Sequence, residues 1–218
     1  MSKSDKTALE HVLDAYRCGL FPMAESRDSD EFYWYDPPQR GQLSITDLHI
    51  PKRLKRTTLS APYRITINQD FAGVIDGCAA QRNDRKETWI NQGIRNLFIA
   101  LHHEGHAHSV ECYQGTNLVG GLYGLALGGA FMGESMFSRA RDASKIALIG
   151  LCAQLWKQSF TLLDTQYIND HLTQFGAYEI PKDDYLTLLH KALTHPCTFT
   201  NKSPDTIDIE TIKQYINK

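Results

Sequence analysis

Two short stretches of the chain carry residue types that could do chemistry. The first is Phe131-Met132-Gly133-Glu134-Ser135-Met136-Phe137-Ser138, where one carboxylate stands in an apolar, strand-like run beside a glycine. Such a setting perturbs an acid, and a glycine inside a strand lets a ligand or another backbone come close. The second is Leu163-Asp164-Thr165-Gln166, which runs on into Tyr167-Ile168-Asn169-Asp170-His171. Two apart on a strand, Asp164 and Gln166 project from one face, so their side chains can hydrogen-bond and the carboxylate can orient the amide. An amide held in this way could position an attacking amine at an acyl carbonyl. Each stretch also has a plainer reading. Glu134 could be a paired structural acid near a bulge, and the second stretch a polar strand end in which Asn169 and Asp170 cap the next helix.

Three other groups invite a functional reading. His102 and His106 have the i, i+4 spacing of a helical metal pair, with His103 and His108 nearby. Gly105 should end the helix between them, and no cysteine or carboxylate set completes a tetrahedral site, so we expect satisfied histidines and no metal. Lys52, Arg53, Lys55 and Arg56 are a tight basic cluster, suited to nucleic-acid phosphates or equally to a solvated basic turn. Trp34 and Trp89 could stack on a base or serve as buried aromatics. The run Val119-Gly120-Gly121-Leu122-Tyr123-Gly124 is no dinucleotide fingerprint, because no helix follows it; its glycines mark bulges or close packing.

The elements that must position these residues follow from periodicity. Leu9, Val12, Leu13 and Tyr16 predict an amphipathic helix stopped by Gly19. Asp36-Pro37-Pro38 then breaks regular structure, so a small N-terminal domain is placed at 1–40. Tyr63, Ile65 and Ile67 alternate as a half-buried strand, and Ile94, Leu97, Phe98 and Leu101 form a helix ended by Gly105. Strands at 108–113, 118–127 and 130–137 are joined by hairpin turns. Asp142 should cap a helix carrying Leu148, Leu151 and Leu155, which leads to a strand at 160–168. A helix after Asn169-Asp170 and another after Pro181, burying Tyr185, Leu188, Leu189 and Ala192, close a catalytic domain at 41–200. Residues 201–218 read as a polar tail. Strict alternation puts Phe131 and Glu134 on opposite faces; a bulge at Gly133 would reconcile them.

Bulk properties narrow the class. The 218 residues suffice for a sizeable core, and 42% hydrophobic with 22% charged residues is ordinary for a globular chain. No apolar run approaches the ~20 residues of a membrane helix, and the first residues hold no secretory signal, so a cytoplasmic location without a membrane partner is expected. Five cysteines with no Cys-x-x-Cys pair suggest reduced thiols. With a net charge of −2, any nucleic acid must be met by a local basic patch.

Taken in order, Ala15-Tyr16-Arg17-Cys18-Gly19-Leu20-Phe21-Pro22, Thr88-Trp89-Ile90, His106 to Glu111, Leu118 to Gly124, Gly133 to Ser138, Ala143-Ser144-Lys145, Asp164-Thr165-Gln166 and Asn169-Asp170-His171 resemble the leucyl/phenylalanyl-tRNA–protein transferase family. The resemblance covers residues 8 to 199. It implies an α/β (α+β) fold, with a small N-terminal domain on an acetyltransferase-like (GNAT) mixed-sheet domain. It also implies a reaction without cofactor, in which the α-amine of a protein or peptide beginning with Arg or Lys attacks the ester of Leu-tRNA or Phe-tRNA, marking the acceptor for degradation. By position, Asp164 and Gln166 would be the catalytic pair, with Glu134 an acidic neighbour. Trp89 would stack on the terminal adenosine, with Met23 at a position where members often carry Trp and Trp34 or Tyr35 as the substitute wall. Leu122, Phe131, Leu151, Leu155 and Leu163 would line the side-chain pocket, and Lys52, Arg53, Lys55 and Arg56 would meet the acceptor stem. A monomer is expected, with some use of Met as well as Leu and Phe. An acetyl-CoA-dependent acetyltransferase and a non-catalytic tRNA-binding module are the rivals. The first lacks its Gly-rich loop, because Ser138-Arg139-Ala140-Arg141-Asp142 stands at that join.

Overall fold

In a computed structural model, residues 3–81, 87–201 and 205–218 are described. Helix α1 (Lys3–Arg17) buries Leu13 and Tyr16 and ends at Gly19, whose φ of +84° suits the left-handed turn after a helix. Among the described residues, strands β1 (Phe21–Met23) and β2 (Tyr33–Tyr35) pair only with each other. A second sheet of eight strands holds the rest, in the order β10-β4-β5-β6-β7-β8-β3-β9. Its members are β3 (Gln39–Leu43), β4 (Arg64–Ile67), β5 (Ala107–Gln114), β6 (Asn117–Leu127), β7 (Ala130–Ser138), β8 (Leu162–Gln166), β9 (Tyr178–Pro181) and β10 (Asp205–Ile207). All neighbours run antiparallel except β7 and β8, which are parallel.

Helices cover both faces, as a sheet with apolar residues on each side requires. On one face Leu54 of α2 (Lys52–Leu59), the long α5 (Ala143–Lys157), and Ile212 and Tyr215 of α8 (Ile209–Ile216) pack over Val110, Leu122, Phe131 and Leu163. On the other, α1, α3 (Phe71–Ala79), α4 (Gln92–His103) and α7 (Lys182–Leu193) pack over Tyr123, Leu125, Met132 and Leu162. Among the described residues no helix is long and apolar enough to cross a membrane.

The parallel pair makes the feature that matters. Strands β7 and β8 pair only from Ala130–Met132 to Leu162–Asp164, and beyond that point they part as a fork. Strand β7 is also bulged. Gly124 faces Gly133 while Tyr123 faces Ser135, so Glu134 is the extra residue; Phe131 nevertheless packs in the α5-side core while Glu134 bonds Tyr16 on the α1 side, so the bulge does not bring the two together. The glycines of β6 allow close packing there: a Cβ on Gly124 would collide with the Met132 carbonyl oxygen and the Phe131 ring.

Several expectations need correction. Residues 52–59 are helix rather than a basic turn, and α3, whose Phe71, Val74, Ile75 and Cys78 keep the helical spacing, and β3 were not anticipated. Thr66, between Ile65 and Ile67 on β4, is buried as they are, and its hydroxyl donates to Glu111 Oε2 at 2.6 Å. Asp142 stands at the start of α5 in a left-handed conformation (φ +59°) and makes no capping bond; its carboxylate meets Arg53 at 3.3 Å instead. Leu188 is exposed on α7. The segment read as a polar tail supplies edge strand β10 and helix α8, whose Ile212 and Tyr215 join the core. We predict that Gly124→Ala lowers stability by about 1–3 kcal/mol, the cost of overpacking a closed site, as read from the urea unfolding midpoint.

Candidate functional site

A hollow of about 300 Å³ lies in the fork between β7 and β8. Its apolar wall comes from Leu122 of β6, Met136 of β7, Leu148 and Leu151 of α5, Leu163 of β8 and Leu172 of the short helix α6 (Asp170–Thr173). Its polar wall comes from Glu134, Ser135, Thr165, Asn169 and His171, with Trp89 and Tyr123 entering from the opposite face of the sheet. The fork explains this composition. Where two strands separate, side chains from both faces can reach the gap, and a leucine-lined recess can open onto a carboxylate.

Glu134 is the acid of the hollow. Its Oε1 accepts a 2.8 Å hydrogen bond from the Tyr16 hydroxyl, so α1 reaches into the site, and its Oε2 is closed to solvent and has no partner. Burial is the main cause that pushes Glu134 up to about 7; the Tyr16 hydroxyl and the Gln166 amide act against it, Asp164 raises it further, and Arg40 lowers it. Gln166 Nε2 lies near enough to matter but makes no well-formed bond, and is itself buried and unpartnered. The same burial, together with Glu134, holds the Tyr16 phenol well above its usual range.

Asp164 sits behind the wall, not on it, and is fully buried. Arg40 grips it with two bonds, Nε to Oδ1 at 2.9 Å and Nη2 to Oδ2 at 2.6 Å. The Tyr185 hydroxyl donates to Oδ2 at 3.0 Å, and the Gln166 backbone N–H to Oδ1 at 2.8 Å. The anticipated bond between the Asp164 and Gln166 side chains is therefore replaced by one to the Gln166 main chain, which takes a left-handed φ of +63° as β8 ends. Arg40 also donates to the Gly19 carbonyl at 2.6 Å and is sandwiched between the Phe21 and Tyr185 rings, 4.6 and 4.4 Å from their centroids. Burial works against its charge, but Asp164 outweighs it and leaves the guanidinium more basic than usual. Burial and then Asp164 likewise raise the Tyr185 phenol. Gly41, next to Arg40, lets β3 approach this strand end: a Cβ there would fall 2.7 Å from Thr165 Oγ1 and 2.9 Å from the Tyr167 backbone.

Of the residues singled out in the sequence, Trp89, Leu122, Glu134, Leu151 and Leu163 meet at the hollow. Phe131 and Leu155 lie buried in the core beneath it, so they support the wall and do not form it. Met23 is half-buried in β1 against the α1-side core. Trp34 is 38% exposed, edge-on to Tyr16 at 6.2 Å. The cations of α2 stand apart from the hollow: Lys52, Arg53 and Arg56 are exposed, and Lys55 Nζ lies 3.3 Å from Asn217 Oδ1. Arg53 reaches the start of α5 through Asp142. His102 Nδ1 lies 2.8 Å from the Ala107 carbonyl, and the Asn68 amide meets His108 Nδ1 at 3.0 Å. Burial, reinforced by His102, pushes His108 down to about 4. Among the described residues no three metal-ligating side chains converge.

Sequence reasoning missed Arg40, Tyr185, Thr165 and the hydroxyl role of Tyr16. A tyrosine on a helix's apolar face is a weak hint, since its hydroxyl needs a partner when buried. Arg40, in a strand with no period, gave none. His171, named only within its motif, has its Nε2 buried and unpartnered on the wall, as is Thr165 Oγ1.

Fold and hollow together define a mixed α/β protein with a ligand cavity at the parting of two parallel strands. Two family models match the chain. Leucyl/phenylalanyl-tRNA protein transferase covers residues 42–190, and the N-terminal domain of the same family covers residues 8–38. The chain belongs to the leucyl/phenylalanyl-tRNA protein transferase family. Relatives bearing that name include one from Rhodopseudomonas palustris strain TIE-1, 48% identical over 91% of each chain. Another, from Hyphomonas neptunium, is 53% identical over 84% of this chain and 71% of its own. A third, from Caulobacter vibrioides, is 48% identical over 89% and 90%.

Two predictions follow from the charges. Arg40→Met leaves a buried carboxylate unpaired and should cost about 3–5 kcal/mol in chemical unfolding, whereas Arg40→Met with Asp164→Leu recovers much of that loss. Glu134 has a folded value of about 7 against an ordinary 4.5, so the stability it contributes is complete below 4.5 and is lost as pH rises through about 7. Relative to Glu134→Gln, the native protein should lose roughly 3 kcal/mol across that window, read from urea unfolding at each pH.

Proposed function

We propose that this protein transfers leucine or phenylalanine, and to a lesser degree methionine, from aminoacyl-tRNA to the α-amine of proteins beginning with Arg or Lys. The observation that carries the reading is the leucine-walled hollow opening directly onto a buried acid, in a chain of this family. A hollow of about 300 Å³ accommodates a Leu or Phe side chain, excludes charged ones by desolvation, and separates apolar ones only weakly.

An aminoacyl ester is already activated, so the chain's task is to hold reactants and stabilise charge. The acceptor nitrogen attacks the carbonyl carbon, the C–N bond forms, and the ester C–O bond breaks. The amine proton leaves with the RNA hydroxyl. Glu134 faces the acceptor's cationic side chain or amine, and a bound cation would draw the acid into its ionised form. Gln166 offers its unpartnered amide N–H to the developing oxyanion, and its amide oxygen is the acceptor for the attacking amine's N–H. Asp164, saturated by Arg40 and Tyr185, acts by fixing the turn that carries Gln166. Trp89 stacks on the terminal adenosine and the α2 cations meet the acceptor stem. Use of charged tRNA as the donor fits work in the cytoplasm. The fork between parallel strands supports an acetyltransferase-like domain at 41–200, and the break between the two matched regions supports a small N-terminal domain ending near residue 40.

The test is radiolabelled Leu-tRNA or Phe-tRNA mixed with protein and a peptide beginning with Arg or Lys. Label should appear in the peptide; transfer from acetyl-CoA but not from charged tRNA would overturn the assignment. Leu151→Phe narrows the hollow and should shift the Leu/Phe preference toward Leu by about tenfold, the discrimination a few methylenes provide.

A further inference from the structure

Glu134 touches the buried Tyr16, Tyr16 packs edge-on against Trp34, and Trp34 against Phe32 at 6.0 Å, a line of contacts that runs from the buried acid to an aromatic ridge at the surface. Its outer end is aromatic and uncovered, with Trp34 38% and Tyr33 49% exposed. It is also acidic. Between residues 25 and 31 stand Glu25, Asp28, Asp30 and Glu31 against the single cation Arg27. The Tyr33 hydroxyl donates to Glu31 Oε2 at 3.4 Å, and Glu31 and then Glu25 raise that phenol, which places both carboxylates beside the ridge. The nearby Asp36 is neutralised by Lys182.

We propose that the ridge of Phe32, Tyr33 and Trp34, flanked by Glu25 and Glu31, is the track for the second to fourth residues of the acceptor polypeptide, and that it favours cationic residues there. The inference rests on the transfer reaction proposed above. An acceptor whose first residue lies at Glu134 extends outward at about 3.3 Å per residue, so its next few residues fall along the ridge. Lysine or arginine side chains gain from an exposed indole face and from opposite charge, whereas phosphates of an RNA are repelled by the same carboxylates. This assigns Trp34 to the acceptor and not to the terminal adenosine. Glu134 Oε2, buried and without a hydrogen-bond partner among the described residues, lies at the inner end of the track.

Peptides alike except for Lys or Glu at positions two and three behind an N-terminal Arg test this with saturating Leu-tRNA. The Lys peptide should have kcat/KM roughly three- to tenfold above the Glu peptide, and Glu25→Lys with Glu31→Lys should erase or reverse that ratio. Trp34→Ala should raise the peptide KM by a similar factor and leave the Leu-tRNA KM unchanged, with Trp34→Phe restoring most of the loss. A preference indifferent to the charge swap, or a Trp34→Ala effect confined to the Leu-tRNA KM, would sink the track while leaving the reaction standing. Label in no peptide at all would bring down the reaction, and the track with it.

Discussion

The arrangement depends on one buried ion pair, Arg40 with Asp164. Both groups are almost wholly withdrawn from water, at 2% and 0% exposure, and burying two charges is unfavourable unless their remaining hydrogen-bonding capacity is filled. Here it is filled from three directions. Gly19 accepts from the guanidinium, Tyr185 and the Gln166 main chain donate to the carboxylate, and two aromatic rings close over the cation. The pair thereby ties the turn after α1, strand β3, the end of β8 and helix α7 to a single point. Any shift of one of these segments would expose a charge or leave it unpaired.

That rigidity bears on the hollow beside it. The oxygens of Asp164 are already taken by Arg40, Tyr185 and the Gln166 main chain, so the acid left with an unpartnered oxygen is Glu134. The two carboxylates differ because of their neighbours: Asp164 has a full cation at bonding distance, while Glu134 has one hydroxyl and an imperfectly placed amide. The bulge that aims Glu134 and the fork that admits it are both backbone features, produced where β6 glycines let strands approach and where β7 and β8 cease to pair.

Much of the fold was legible because periodicity reports burial. Helix α1, helix α4 and the β5–β7 meander repeat their apolar residues at the helical or strand period and stop at glycines or turn residues. Elements poor in apolar residues were missed. Strand β3 reads Gln-Arg-Gly-Gln-Leu, helix α2 is mostly cations, and β10 with α8 looked like a polar tail although Ile209, Ile212 and Ile216 keep a helical spacing. These segments are held by what they pack against, so local composition does not announce them. The site was legible in outline: Trp89, Leu122, Glu134, Leu151 and Leu163 share one hollow. Phe131 and Leu155, assigned to the pocket by the same resemblance, lie one layer too deep, because a position in a motif does not fix how far a side chain stands from the cavity.

The sequence by itself determined the meander, its turns, the helix that packs over it and the strand carrying Asp164 and Gln166, since each follows from nearest-neighbour backbone preferences and hydrophobic period. Its ordered motifs also pointed to the family. Only the tertiary structure decided that Asp164 would be answered by a residue 124 positions away, that Tyr16 would reach Glu134 across 118, and that an acid would stand unneutralised in a leucine-walled gap. The reason is that electrostatic pairing and desolvation depend on distance in space, and a local pattern carries no information about which distant segment will arrive.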